Sequence, residues 1–147
     1  MRKHGTEPDY IKDRDRALLR AYRRVMDSPT PLYWREIIQR AVESPAERFW
    51  CSEEQATCIV RQMLAGKTPT IRTATKREMY EEIYRRVVEL RKGKPDMTIT
   101  DAVFKVVNSP APKFYLTRQS AYVIIQRAKK ECFEERKRRL RHFLLGQ

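Results

Sequence analysis

The residues best suited to chemistry open the last long apolar-periodic segment of the chain, Thr117-Arg-Gln-Ser120. A helix N-terminus favours phosphate, and the first exposed side chains of a recognition helix reach base edges. Arg118 can grip guanine and Gln119 can address adenine, while the hydroxyls of Thr117 and Ser120 can contact phosphate. Further on, residues 127–141 carry eight basic side chains, Arg127, Lys129, Lys130, Arg136, Lys137, Arg138, Arg139 and Arg141, against three acids. This tail reads either as a solvated helix or as a phosphate clamp with sequence-independent, steeply salt-sensitive binding. A membrane-surface role through Phe133, Leu140, Phe143, Leu144 and Leu145 is a third option.

Aromatics beside cations supply a second candidate chemistry, base stacking. Phe49 and Trp50 follow Arg48, and Phe114 and Tyr115 follow Lys113. Neighbours in an extended segment face opposite ways, so the two phenylalanines are expected in the core. Trp50 and Tyr115 then either remain accessible as stackers or close the loop against a helix.

Catalytic and metal chemistry find little to work with. The two histidines, His4 and His142, lie in the end segments, and there is no H-E-x-x-H pattern or G-x-x-x-x-G-K-[ST] phosphate loop. Three cysteines, widely spaced and without a C-x-x-C pair, indicate neither a disulfide framework nor a zinc cage. No catalytic residue, metal ligand, cofactor or small-molecule substrate is expected. No apolar run approaches the ~20 residues of a membrane span, and no signal-peptide core follows the first residues, so the expected location is the cytoplasm.

A duplication positions these residues. Ser44-Pro-Ala-Glu-Arg-Phe-Trp-Cys51 returns as Ser109-Pro-Ala-Pro-Lys-Phe-Tyr-Leu116, and the match runs on to Ile59 and Ile124. Each copy reads as helix A, helix B, a proline-aromatic loop and helix C. Helix A carries Leu18, Tyr22, Val25 and Met26 in one copy, and Tyr80, Ile83, Tyr84, Val87 and Val88 in the other. Asp13 and the Thr75–Glu78 capping box mark the two starts. Helix B presents Trp34, Ile37, Ile38, Ala41 and Val42, matched by Ile99, Ala102, Val103, Val106 and Val107. The β-branched run at 99–107 would pass for a strand taken alone, but alignment with the first copy makes it helical.

Pro45 and Pro110 stop helix B, and Ser52 and Thr117 cap helix C. Helix C then buries Ala56, Ile59, Val60 and Met63, matched by Ala121, Ile124, Ile125 and Ala128. Cys51 aligns with Leu116 and Cys58 with Val123, which predicts core positions for both cysteines; Cys132 is expected on the inner face of the last helix. Beyond Ala128 no proline or glycine intervenes before Gly146, so helix C continues as a basic extension. The predicted boundaries are a polar tail over 1–12, repeats over 13–65 and 76–130, a linker over 66–75 and the extension over 131–147.

The run Ser109-Pro-Ala-Pro-Lys-Phe-Tyr-Leu-Thr117 with Ala121-Tyr122 resembles an S-P-A-P-x-F-Y-[VL]-[ST] signature of small, basic tandem-repeat proteins from gut bacteria and phages. The first copy departs from it at Glu47, Trp50, Cys51 and Thr57. The resemblance implies the repeat boundaries over most of residues 15–130 and carries over no functional residue.

Net charge is +13, with 14 basic against 10 acidic residues in 1–74 and 18 against 9 in 75–147. Polyanion contact is therefore expected in the second copy. The first copy has Ser52-Glu53-Glu54-Gln55 at the corresponding helix start, where two carboxylates repel phosphate.

The sequence thus predicts an all-α protein of two homologous three-helix repeats, helix-turn-helix-like with a long proline-aromatic loop and an extended basic C-terminal helix. The expected function is non-enzymatic nucleic-acid binding, DNA before RNA. Contacts are expected from Lys113, Tyr115, Thr117, Arg118, Gln119 and Ser120, and from the basic tail. The alternative is a structural or adaptor protein of a virion or ribonucleoprotein assembly. In it the first repeat serves a protein partner or a second copy of the chain. The expected locations are the nucleoid or, for a phage protein, the virion.

Overall fold

The nearly complete helical periodicity of the sequence is realised in a computed structural model that describes residues 10–29 and 32–146. The protein is all-α. Its elements among the described residues are α1 (Tyr10–Met26), α2 (Trp34–Val42), α3 (Glu53–Leu64), α4 (Ala74–Gly93), α5 (Ile99–Val107) and α6 (Arg118–Leu145).

Local chemistry sets most boundaries. The Ser52 and Thr117 hydroxyls accept from the backbone N–H of Gln55 and Ser120, at 3.4 and 3.1 Å, so helix C is capped in both copies as expected. Thr98 caps α5 in the same way through Asp101. After α3, Gly66 adopts a left-handed φ of 78°. The Lys67 N–H then reaches back to the Gln62 carbonyl, an ending that glycine permits without steric cost.

Two expected starts move. Tyr10 to Lys12 are already helical, so Asp13 lies inside α1; the rest of the expected N-terminal tail, with His4, falls outside the described residues. Thr75 lies inside α4, which begins at Ala74 after Thr73, and no capping-box bond forms there.

The larger correction concerns which helices pack together. α1 packs on α2, and α4 on α5, as each copy requires. The third helix crosses over: α3 packs on α4 and α5, whereas α6 packs on α1 and α2. The backbones of α5 and α6 do not come close to each other, nor do those of α2 and α3. The copies are therefore sequence units rather than packing units, and no helix-turn-helix forms between helices B and C of one copy. Each three-helix bundle takes two helices from one copy and one from the other, an exchange of the kind that links swapped dimers.

The crossing has a definite chemistry. Ala46 and Ala111 exchange both backbone hydrogen bonds at 2.9 Å as an isolated antiparallel bridge. Three residues further on, Phe49 donates its N–H to the Val107 carbonyl and Phe114 donates to the Val42 carbonyl, each at 2.9 Å. Val42 and Val107 are the last residues of α2 and α5, whose terminal carbonyls lack partners within their own helices. Each copy thus completes the helix end of the other. Both alanines are buried, and their methyl groups let the two loops approach where a larger side chain would hold them apart.

The phenylalanines enter the core as expected, with Phe49 fully buried and Phe114 nearly so. They join Leu18, Ile83, Val103, Val107 and Ile125 in one cluster that runs through both bundles.

Ala111→Leu should lower the unfolding free energy by about 1–3 kcal/mol through overpacking at the crossing, as read by urea denaturation. Ala46→Leu should cost a similar amount. Because the two residues share one contact, the double variant should lose less than the sum of the single losses. Additive losses would mean that the two loops do not meet.

Candidate nucleic-acid interface

Helix α6 is the element on which nearly all the expected contacts lie. It runs 28 residues from the Thr117 cap to Gly146, so the basic extension is helical as expected. Ala121, Ile124, Ile125 and Ala128 form its buried face. At ~100° per residue, Gln119, Lys130, Lys137 and Arg141 fall on the opposite side. Arg118 and Arg136 share one flank, five turns apart, and Arg127 and Arg138 share the other. Arg139 continues the line of Ala121, Ala128 and Cys132 but is exposed. The basic side chains surround the helix and do not converge on one patch.

Several of them are engaged within the protein. Arg127 Nη2 lies 2.8 Å from Asp15 Oδ2 on α1, and Arg14 holds the other oxygen of the same buried carboxylate at 2.9 Å. Lys129 donates to the Tyr22 hydroxyl at 3.1 Å, its Nζ lying 4.4 Å from the ring centre. These contacts tie α6 to α1 and stabilise the exchange. Lys113 is paired with Glu78. Arg118, Lys130, Arg136, Arg138, Arg139 and Arg141 are exposed and form no ion pair among the described residues.

At the start of α6 the Thr117 hydroxyl serves as the cap and donates to Ser120 Oγ at 2.9 Å. Arg118 and Gln119 are exposed there. The first copy is closed by comparison: Glu53, at the start of α3, meets Arg48 Nη2 and Asn108 Nδ2, each at 3.5 Å. Arg48 also donates to the Phe49 and Cys51 carbonyls.

The aromatics expected as stackers are buried. Trp50 and Tyr115 are only 9% and 7% exposed, which corrects the accessible reading of both. Arg48 lies 5.6 Å from the Trp50 ring centre, and the indole Nε1–H is buried without a hydrogen-bond partner among the described residues. Tyr115 takes a left-handed φ of 55°, a conformation that costs roughly 1–2 kcal/mol outside glycine. Its ring stacks on Phe49 across the crossing, with centres 5.9 Å apart, so aromatic burial offsets the strain. Burial, with Glu82 and Glu78 nearby, pushes the Tyr115 hydroxyl up to about 12.

The accessible aromatics are others. Trp34 is 53% exposed at the first position of α2, although its alignment with the half-buried Ile99 placed it in the core. Its ring centre lies 5.4 Å from that of Tyr122 on α6, and Arg35 sits 5.4 Å from the indole. One signal of this cluster is present in the sequence: Tyr33, Trp34 and Arg35 are consecutive at the very start of helix B, where a short amphipathic stripe overhangs its core. Tyr122 aligns with Thr57, which is buried and bonded to the Glu53 carbonyl at 2.7 Å. The two copies differ at this point.

The cysteines separate as well. Cys51 is buried, and desolvation pushes its thiol up to about 12, which keeps it protonated and unreactive at neutral pH. Cys58 is exposed, against its expected core position, because it lies on the outer side of α3 between buried Thr57 and half-buried Ile59. Val123, its match in the second copy, is exposed too. Cys132 is half-buried beside the core. Among the described residues no three His, Cys, Asp or Glu side chains come together to hold a metal ion. No helix among them is long and apolar enough to cross a membrane.

No protein-family model matches this chain, and no curated protein or solved structure is significantly similar to it.

Thiol labelling of the native protein should modify Cys58 fastest, Cys132 more slowly and Cys51 only after unfolding, as read by peptide mass spectrometry. Rapid native labelling of Cys51, or protection of Cys58, would contradict the placement of α3.

Proposed function

We propose that the protein is a non-enzymatic nucleic-acid-binding accessory factor whose contact element is α6. The observation that carries this reading is the set of seven exposed cations on one helix, Arg118, Lys130, Arg136, Lys137, Arg138, Arg139 and Arg141, none of which has an ion pair among the described residues. Six carboxylates elsewhere on the protein, Asp15, Glu47, Glu53, Glu78, Glu82 and Glu89, are met by arginine or lysine. Exposed cations without an ion pair among the described residues also lie elsewhere, as at Arg23, Arg24 and Arg40, but α6 lines seven of them along one rod that a polyanion can follow.

The placement of the cations decides the kind of binding. Because they surround the helix, the energy comes from counterion release along a phosphate backbone, with little dependence on sequence. Arg118 and Gln119, exposed in the first turn, add modest base contact. Arg127 and Lys129 act mainly within the protein, holding α6 on α1. DNA remains preferred over RNA as the working target.

The adaptor alternative draws support from one observation, the exposed apolar side chains Leu140, Phe143, Leu144 and Leu145 near the end of α6. Such a patch suits a protein partner or a second copy of the chain.

Replacing Lys130, Lys137 and Arg141 together with glutamine should weaken binding to mixed-sequence DNA. It should also flatten the plot of log affinity against log salt by about 2 to 3, measured by fluorescence anisotropy. An unchanged slope would remove α6 from the interface, and no binding by the wild type at low salt would refute the function.

A further inference from the structure

Three aromatics of the α1–α2–α6 bundle, exposed Trp34 and Phe133 and half-buried Tyr22, each lie beside a cation. Arg35 lies 5.4 Å from the ring centre of Trp34, Lys129 lies 4.4 Å from that of Tyr22, and Lys137 lies 4.7 Å from that of Phe133. Trp34 is joined to Tyr122, itself 42% exposed, with ring centres 5.4 Å apart and planes inclined by 52°. On α6, Tyr122, Lys129 and Phe133 follow one another at helical spacing along one flank. The stretch from Tyr122 to Phe133 covers ~17 Å at 1.5 Å per residue. The acids of this helix, Glu131, Glu134 and Glu135, turn to other sides at ~100° per residue, and Glu135 faces Arg16 on α1 at 3.8 Å.

We propose that Trp34 and Tyr122 form a stacking platform for the bases of single-stranded nucleic acid, with Arg35 beside them and the outward cations of α6 holding its phosphates. The proposal rests on the nucleic-acid reading above and specifies the form of the ligand. An exposed ring offers its face to any base, but only to one not already stacked in a duplex, so a platform of this kind selects single strands. The flanking cations favour a polyanion over an apolar protein surface. The other bundle has no such aromatic pair among the described residues at these positions, where Ile99 and Thr57 align with Trp34 and Tyr122. The platform is also a product of the exchange: Trp34 belongs to the first copy and Tyr122 to the second, and they meet only because α6 packs on α2.

The test compares three ligands of about 20 nucleotides, longer than a typical single-strand site: oligothymidylate, a chain of abasic sugar-phosphate units with the same charge, and a blunt duplex. The wild-type protein should bind oligothymidylate about tenfold or more tighter than the abasic chain, and tighter than the duplex. Trp34→Ala and Tyr122→Ala should each remove most of the difference between oligothymidylate and the abasic chain while leaving abasic affinity unchanged. Trp34→Phe should keep much of it.

Equal wild-type affinity for the base-bearing and abasic chains would overturn the platform and leave the electrostatic role of α6 standing. So would tighter binding to the duplex. Failure to bind any of the three at low salt would overturn both. The wild-type comparison uses no substitution, so its outcome is independent of how well a variant folds.

Discussion

Two loops meet at Ala46 and Ala111, and the paired backbone hydrogen bonds between them decide where every later helix goes. Each loop leaves its helix at a Ser-Pro dipeptide, crosses its counterpart, and inserts a phenylalanine whose N–H closes the end of the opposite helix B. A buried helix carbonyl without a partner costs about 1–3 kcal/mol, so the crossing is stabilised from both sides by groups that would otherwise be orphaned. From that junction α3 runs along α4 and α5, and α6 along α1 and α2. The small residue in Ser-Pro-Ala is as necessary as the proline, since it sets how close the backbones come.

The exchange also decides what the positive charge is used for. Arg127 is one of eight basic residues in a run that looks uniform in the sequence, yet it meets a buried aspartate on a helix more than a hundred positions earlier. Lys129 is spent in a similar way on Tyr22. These two residues hold the basic helix in place, and their neighbours Lys130, Arg136 and Lys137 are left facing outward. The same packing brings Tyr122 to Trp34. A structural contact between copies thereby lies next to the surface proposed to bind.

Helix positions were legible because apolar spacing, proline stops and serine or threonine caps are local signals. Val103, Val107, Ile125 and Phe49 are buried where periodicity placed them, and the long last helix ends at its glycine. The choice of packing partner was not legible. Periodicity reveals that a helix has a face to bury, but the face of α6 would suit α5 as well as α2. Trp34 and Cys58 were misplaced because alignment between copies assumes equal environments, and these positions lie at the end of one helix and on the outer side of another. Tyr115 shows the converse: beside an inward Phe114 in an extended segment its ring should point outward, but a left-handed backbone turns it onto Phe49.

The crossing requires α6 to lie against the helices of the first copy. A nuclear Overhauser spectrum of the full chain addresses that directly. Cross-peaks are predicted between the rings of Trp34 and Tyr122 and between the Tyr22 ring and the Lys129 side chain, with none joining α5 to α6. Cross-peaks linking Val103 or Val106 to Ile124 or Ile125, with none from α6 to α1 or α2, would contradict it.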